Sequence, residues 1–392
     1  MATIKKRGSG YLIRVSCGYD VNGKHMEQSM TWKPDEGMSK RQIQKELNRQ
    51  AIMFEESVNH GFKTSAMKFQ ELAEEWFDSY AKMTLRNTTY ARMKQLAVRV
   101  NKAIGHLRMD KITPRHIQAF VNSLTKPGAN ERTGEPLAPK TIRHYLTLIS
   151  DVFNYGVRMG VVADNPCSKV YLPKNTSKEK QIYSQEEMTI FLHMLADEPI
   201  KYRAFFYLIA YTGFRRGEML GLEWKDVDFR DNIISVRRTS NYTSDKGTYT
   251  DTTKTKRSQR TVKIAPEIMS LLRELRDYQE DQAFKIGSKW VENDRLFTSW
   301  DGSPMDLNTP YNYLLKFCRA HDLPFYGIHS FRHFAASALI SAGLDITTVS
   351  GALGHSCSGT TLNTYSHMFQ TAQARVAQAM DGAFGFLSSE DT

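Results

Sequence analysis

The sequence predicts a multidomain α+β protein: a small N-terminal ββ(β)α module, an all-α domain, and a mixed α/β C-terminal domain. Changes in hydrophobic periodicity along the 392 residues predict this division, because alternation with a period of two gives way to helical spacing near residue 39. The chain is also longer than an ordinary single domain, and 41% hydrophobic residues can supply several cores. The predicted parts are residues 1–66, 67–165, a linker at 166–181, and 182–392.

The N-terminal module is predicted from alternating residues followed by an amphipathic helix. Ile13 and Val15 alternate with Leu12, Arg14 and Ser16, and Asn22-Gly23 offers a tight turn into a second strand. Apolar residues at helical spacing between 39 and 60 then predict a helix that covers one face of the sheet.

The second domain is predicted to be helical throughout. A wide apolar stripe runs from Phe69 to Tyr80 at helical spacing, and its aromatic residues are assigned to packing. Thr113-Pro114 is typical of a helix start, with an N-cap threonine and a proline at the first helical position. Prolines and glycines between 125 and 139 predict a loop, and the linker that follows this domain is poor in apolar residues and rich in lysine.

The charge balance favours a polyanionic partner. The chain has 53 Lys and Arg residues against 42 Asp and Glu residues, a formal net charge of +11. Its four cysteines lie far apart without CxxC spacing, which predicts neither a zinc knuckle nor a disulfide framework. The N-terminus lacks the apolar core of a signal peptide, and no stretch approaches the ~20 apolar residues of a membrane helix. We therefore expect a cytoplasmic protein without a membrane partner.

A set of cationic residues and one tyrosine occurs in order through the last domain. Arginine suits phosphate binding because its planar fork holds two oxygens and stays charged. Fixed cations of this kind can follow the charge that spreads over a phosphodiester as it breaks, while a phenol supplies a nucleophile. Glu218 lies three residues after the first arginine, near enough to orient its guanidinium by hydrogen bonding, and a purely structural role is the alternative. The set comprises Arg215 in Thr-Gly-Phe-Arg, Lys254 in Lys-Thr-Lys, His329 and Arg332 in His-Ser-Phe-Arg, His355 in Leu-Gly-His, and Tyr365.

In this order and context the set resembles the tyrosine recombinase, or phage integrase, family. The blocks at residues 212–228 and 353–367 are the most typical, and the resemblance extends over nearly the whole chain. The N-terminal third is most similar to integrases of conjugative transposons and temperate phages. The resemblance implies an arm-site DNA-binding module, a SAM-like core-binding domain, and a catalytic domain that ends in a docking tail.

The resemblance also implies a role for each residue of the last blocks. Tyr365 is the expected nucleophile, which forms a 3′-phosphotyrosyl intermediate, and His355 is expected to donate a hydrogen bond to the phosphate. Lys254 is expected to protonate the departing 5′ oxygen, since an ammonium proton is transferable where a guanidinium proton is not. Lys256 stays open as the alternative general acid.

His329 and Arg332 are three residues apart at the start of a predicted helix, so both can project toward one phosphate. His329 is in addition a candidate base for the phenol of Tyr365. A zinc pair of His329 and His333 is disfavoured, because the intervening residues include no glutamate and place a positive charge beside any metal. We assign His333 to packing.

Together these implications describe a site-specific DNA recombinase that integrates and excises a mobile genetic element through Holliday-junction strand exchange. The expected partners are double-stranded DNA with core and arm sites, a homotetramer on that DNA, and an excisionase or host DNA-bending protein. No metal or other cofactor is expected, because one phosphodiester replaces another. A type IB topoisomerase-like activity and a non-catalytic DNA-binding regulator are the alternatives. The DNA sequence recognised and docking of the C-terminal tail in cis or in trans stay open.

Overall fold

The computed structural model describes residues 2–19, 25–35, 37–59, 67–174, 181–252, 259–354, 359, 362 and 365. It divides the chain into two compact units, Met1–Lys178 and Glu179–Thr392. Helices and strands are combined in both units, and the predicted multidomain α+β class is confirmed. Among the described helices, none is long and apolar enough to cross a membrane.

The first unit contains the strands β1 (Thr3–Arg7), β2 (Gly10–Tyr19) and β3 (His25–Trp32), and the helices α1 (Lys40–Asn59), α2 (Phe69–Trp76), α3 (Lys82–Thr84), α4 (Asn87–Val100), α5 (Pro114–Leu124) and α6 (Pro139–Arg158). The second unit contains the helices α7 (Gln185–Met194), α8 (Ile200–Thr212), α9 (Arg216–Gly221), α10 (Pro266–Ile286), α11 (Thr309–Ala320), α12 (His329–Ser341) and α13 (Ile346–Leu353). Its strands are β4 (Val227–Asp228), β5 (Ile233–Val236), β6 (Arg238–Thr243), β7 (Gly247–Thr252) and β8 (Arg260–Lys263).

The N-terminal strands form an antiparallel sheet in the order β1-β2-β3. Ile13 of β2 is fully buried beneath α1, which contributes Leu47 and Phe54 to the same small core. The predicted sheet covered by one helix is therefore confirmed. The predicted turn at Asn22-Gly23 lies outside the described residues.

The remaining helices of this unit surround a second apolar core. Trp76 and Phe77 are buried in it, with ring centroids 4.8 Å apart, in agreement with their assignment to packing. Helix α5 begins at Pro114, and the predicted loop occupies the chain between α5 and α6. The first residues of the predicted linker, Pro166–Lys169, form a 3-10 turn, and Cys167 is buried among these helices.

In the second unit, helices surround a small antiparallel sheet of order β4-β5-β8, and β6 and β7 form a separate hairpin. Helix α7 begins at the predicted capping box, where the backbone N–H of Glu187 donates to the hydroxyl of Ser184 at 3.1 Å. Helix α12 is anchored by Phe331, whose ring lies 5.2 Å from that of Phe191 and 5.5 Å from that of Phe206. This anchor holds the neighbouring side chains of α12 in place for the site described next.

Candidate active site

Three parts of the chain that are far apart in sequence meet at the candidate site: the turn between α8 and α9, the first turns of α12, and Tyr365. Gly213 allows the turn between α8 and α9 to pack closely against neighbouring helices. It ends α8 with a φ of 61°, a conformation that favours glycine. A Cβ on Gly213 would lie 2.8 Å from the Leu353 side chain and 3.0 Å from Ala335, so α12 and α13 pack directly against this turn.

Arg215 follows this turn and is held from two sides. Its Nη1 donates to Oε1 of Glu218 at 2.6 Å, and its Nη2 donates to the carbonyl of Gly354 at 3.0 Å. The predicted contact between Glu218 and this guanidinium is therefore confirmed. The Arg215 side chain remains 39% exposed, so a ligand can reach a cation whose orientation is already set.

Glu218 is buried between two arginines. Its Oε2 accepts from Nη2 of Arg260 at 2.9 Å, and its Oε1 accepts from Arg215. Burial opposes ionisation of the carboxyl, but the charges and hydrogen bonds of Arg260 and Arg215 outweigh it and hold the pKa of Glu218 below its ordinary value. Glu218 is therefore a carboxylate that links the two guanidinium groups.

Arg260 joins this carboxylate to the end of α13. Its Nε donates to the carbonyl of Ala352 at 2.8 Å, its guanidinium lies 4.7 Å from the ring centre of Phe214, and its side chain is only 7% exposed. The sequence assigns no role to Arg260. Its partners Glu218 and Ala352 are 42 and 92 residues away, so no local pattern could have identified it.

We expect Arg260→Lys to destabilise the second unit by about 1–3 kcal/mol, because lysine keeps the charge but lacks the planar fork whose Nε and Nη2 donate to the Ala352 carbonyl and to Glu218. Hydrogen exchange of the α9 and α13 amides at increasing urea concentration would measure this unit alone. Arg276→Lys is the matched control, since Arg276 is exposed and, among the described residues, forms an ion pair with Glu280 on its own helix and lies over the ring of Trp224. Equal protection in the two variants would contradict the role given to Arg260.

Arg332 is the most deeply buried cation of the site, with 3% of its surface exposed. Its Nη1 donates to the carbonyl of Gly213 at 2.8 Å, while its Nη2 has no hydrogen-bond partner among the described residues. Burial and the nearby charges of Arg215 and Arg260 lower the pKa of Arg332 to about 9, which still leaves it charged at neutral pH. A buried cation with an unused donor provides a place for an anionic oxygen.

Tyr365 is 3% exposed and packs among apolar side chains of α12 and α13. Its Oη lies 2.6 Å from Nδ1 of His333, within hydrogen-bond distance. Burial raises the pKa of Tyr365 to about 12, although the charge of Arg332 acts in the opposite direction. His333 is buried, as its assignment to packing implies, but it also contacts this phenol, which the sequence did not predict. The exposed His329 lies one turn earlier, and its ring packs edge-on against His333 at 4.9 Å.

The structure thus brings Arg215, Arg332 and Tyr365 into one site, with His329 beside it through His333. Within the described part of the chain, no group of three or more His, Cys, Asp or Glu side chains is arranged to hold a metal ion. The other predicted members of the set lie outside the described residues: Lys254, its alternative Lys256, and His355. The C-terminal tail at 366–392 lies outside them as well.

Two family models match the chain. The model described as "Phage integrase family" matches residues 181–371, which include every predicted site residue. The model described as "Phage integrase, N-terminal SAM-like domain" matches residues 68–125, in the helical part of the first unit.

Relatives and solved structures extend this similarity over most of the chain. The ICEBs1 integrase of Bacillus subtilis is 27% identical, covering 97% of this chain and 99% of the relative. The "Tyrosine recombinase XerC-like" protein of Caldanaerobacter subterraneus is 26% identical, covering 97% of this chain and 98% of the relative. The Tn1549 transposon integrase, solved with circular intermediate DNA, has a TM-score of 0.65 at 19% identity over 80% of this chain and 99% of its own. A lambda integrase tetramer bound to a Holliday junction has a TM-score of 0.53 at 14% identity over 91% of this chain and 96% of its own.

Proposed function

The chain belongs to the phage integrase family and is a tyrosine recombinase, and from this premise we propose that it integrates and excises a mobile element through a 3′-phosphotyrosyl intermediate. One observation carries the proposal. The buried guanidinium of Arg332, whose Nη2 has no hydrogen-bond partner in the described part of the chain, interacts electrostatically with a second arginine, Arg215, and with the buried phenol of Tyr365. Such an arrangement suits one phosphodiester and its nucleophile.

In the proposed cleavage step, Arg215 and Arg332 bind the non-bridging oxygens of the scissile phosphate. Their donors are fixed before the phosphate arrives, by Glu218 for the first and by the Gly213 carbonyl for the second. Preorganised donors of this kind stabilise the charge that develops on the oxygens without reorganising during the reaction. Tyr365 then attacks phosphorus, and the 5′ oxygen departs.

The roles of the remaining residues follow from the family resemblance. Lys254, or Lys256 in its place, is proposed to give a proton to the departing 5′ oxygen, and His355 to donate to the phosphate. The free 5′ hydroxyl of the partner strand then attacks the phosphotyrosyl bond. Because each step exchanges one phosphodiester for another, the reaction is reversible without ATP or a metal ion. Two such exchanges in succession pass through a Holliday junction.

The partner we propose is double-stranded DNA in the cytoplasm, bound at core and arm sites by a homotetramer. The net charge of +11 supports a polyanionic partner, and the similar Tn1549 and lambda integrases were solved on DNA, one of them as a tetramer on a Holliday junction. The N-terminal module is proposed to bind arm sites and the helical domain core sites. An excisionase or host DNA-bending protein would determine whether the reaction runs toward integration or excision.

A nicked suicide substrate tests this proposal and separates it from the two alternatives. The duplex carries the crossover site, taken from the joined ends of the element that encodes the chain. A nick close to this site lets the short fragment with the new 5′ hydroxyl dissociate after cleavage, so that the protein–DNA bond cannot be reversed. A recombinase is expected to give a covalent protein–DNA adduct, mapped to Tyr365 by peptide mass spectrometry, and strand-exchange products with an intact partner duplex.

The other outcomes would each replace the proposal. An adduct together with relaxation of supercoiled plasmid, but no exchanged strands, would indicate a type IB topoisomerase-like enzyme. Binding of the duplex without any adduct, across several site spacings, would indicate a DNA-binding regulator.

A further inference from the structure

The phenol of Tyr365 is in contact with a ring nitrogen inside the site. Nδ1 of His333 lies 2.6 Å from Oη, and the two rings are 5.7 Å apart at an interplanar angle of 59°. His333 directly follows Arg332 on α12, and successive residues of a helix point about 100° apart. The phenol therefore has a buried cation and a buried imidazole as neighbours, both positioned by the same helical turn.

The chemistry of this contact depends on where the proton lies. Tyr365 is protonated at neutral pH, because burial raises its pKa to about 12. A phenol of this kind attacks phosphorus only if its proton is removed as the new bond forms, and the acceptor must lie within hydrogen-bond reach. A neutral imidazole with its hydrogen on the other ring nitrogen presents Nδ1 as such an acceptor.

We propose that His333 is a catalytic residue of the cleavage reaction, holding the Tyr365 phenol and accepting its proton. This inference rests on the proposed function. As the bond from Oη to phosphorus forms, the bond from phosphorus to the 5′ oxygen breaks and the phenol proton moves to Nδ1 of His333. The departing oxygen receives its proton from the general acid, for which Lys254 is predicted.

The position of the neighbouring histidine supports His333 rather than His329 in this role. His329 is exposed on the outer turn of α12, where it can approach DNA, and its ring packs edge-on against His333. His333 is buried beside the phenol. Among the described residues, the charged group that acts on the phenol is Arg332 on the same helix, and Arg215, Glu218 and Arg260 act in turn on that guanidinium.

The test compares His333→Asn with His329→Asn on the nicked suicide substrate under single-turnover conditions. Asparagine can place an amide oxygen near the position of Nδ1 but cannot accept the proton, so we expect His333→Asn to slow adduct formation about 10²-fold at unchanged DNA affinity. His329→Asn controls for loss of a neighbouring imidazole and is expected to slow the reaction less. His333→Gln provides a second variant if the first does not bind DNA.

A fluorinated tyrosine at position 365 distinguishes proton transfer from packing. Fluorination lowers the pKa of the phenol and makes proton removal easier. It should therefore raise the cleavage rate of His333→Asn about tenfold or more, and it should not raise the rate of the protein with His333 intact. A slow variant without this rescue, or a variant that cleaves at the normal rate, would overturn the role of His333. Failure of the unmodified protein to form any adduct would instead refute the proposed function itself.

Discussion

Tyr365→Phe is expected to abolish the covalent adduct with the suicide substrate, reducing cleavage by a factor on the order of 10⁶ by analogy with nucleophile removal in a serine protease. Phenylalanine keeps the ring that packs against α12 and α13 but lacks Oη, so no oxygen is available to attack phosphorus. DNA affinity should change little, since the proposed phosphate contacts come from arginines. Gel electrophoresis of denatured protein–DNA mixtures would measure the adduct.

The matched control for this substitution is Tyr278→Phe. Tyr278 is an exposed tyrosine on α10 of the same unit, and loss of its hydroxyl should leave the adduct yield unchanged. The fold should also survive Tyr365→Phe, because one hydrogen bond to His333 contributes only about 1 kcal/mol. An adduct at normal yield in Tyr365→Phe would mean that another residue is the nucleophile.

Arg332→Met is expected to slow cleavage by about 10²–10³ while leaving the thermal unfolding temperature of the second unit unchanged or higher. The loss of rate follows because Nη2 of Arg332 is free of hydrogen bonds within the described structure and is therefore available to the phosphate. The unfolding temperature should not fall, because burying the charge of Arg332 beside two like charges, Arg215 and Arg260, costs the folded state free energy. Replacing a buried charge by an apolar side chain of similar volume is often neutral or stabilising.

Single-turnover cleavage and calorimetry on the same preparation would measure both effects. Arg319→Met, at an exposed position on α11, controls for the loss of one positive charge from the unit and should affect neither quantity. A large drop in unfolding temperature with normal cleavage would show that Arg332 serves the fold rather than the phosphate.

Much of the fold could be predicted because its signals act between residues close in sequence. The capping pair Ser184 and Glu187 marks the start of α7, and Pro114 marks the start of α5. Alternation around Ile13 identified the N-terminal sheet. The chain after residue 165 was harder to interpret, because Pro166 and Cys167 are buried in a turn, and Val170 and Leu172 pack against the helical core in a stretch whose lysines and prolines predict a linker.

Residues of the candidate site likewise fall into those with a local sequence signal and those without one. Arg215, Arg332 and Tyr365 could be selected from the sequence because each stands in a distinctive local block. Arg260 and the contact of His333 could not, since their partners come from segments 32 to 92 residues away. A buried arginine on a short strand and a histidine on an apolar helix have no local feature that separates function from packing.

By itself the sequence indicated the family, the helical or strand character of each part of the chain and the residues proposed to bind a phosphate. Only the tertiary structure decided that Gly213 lets α12 and α13 close on the turn before Arg215, that Glu218 is shared by two guanidinium groups, and that an imidazole meets the phenol. The physical reason is that secondary structure follows from local backbone and side-chain preferences, whereas burial, charge sharing and hydrogen bonding depend on which distant surfaces pack together.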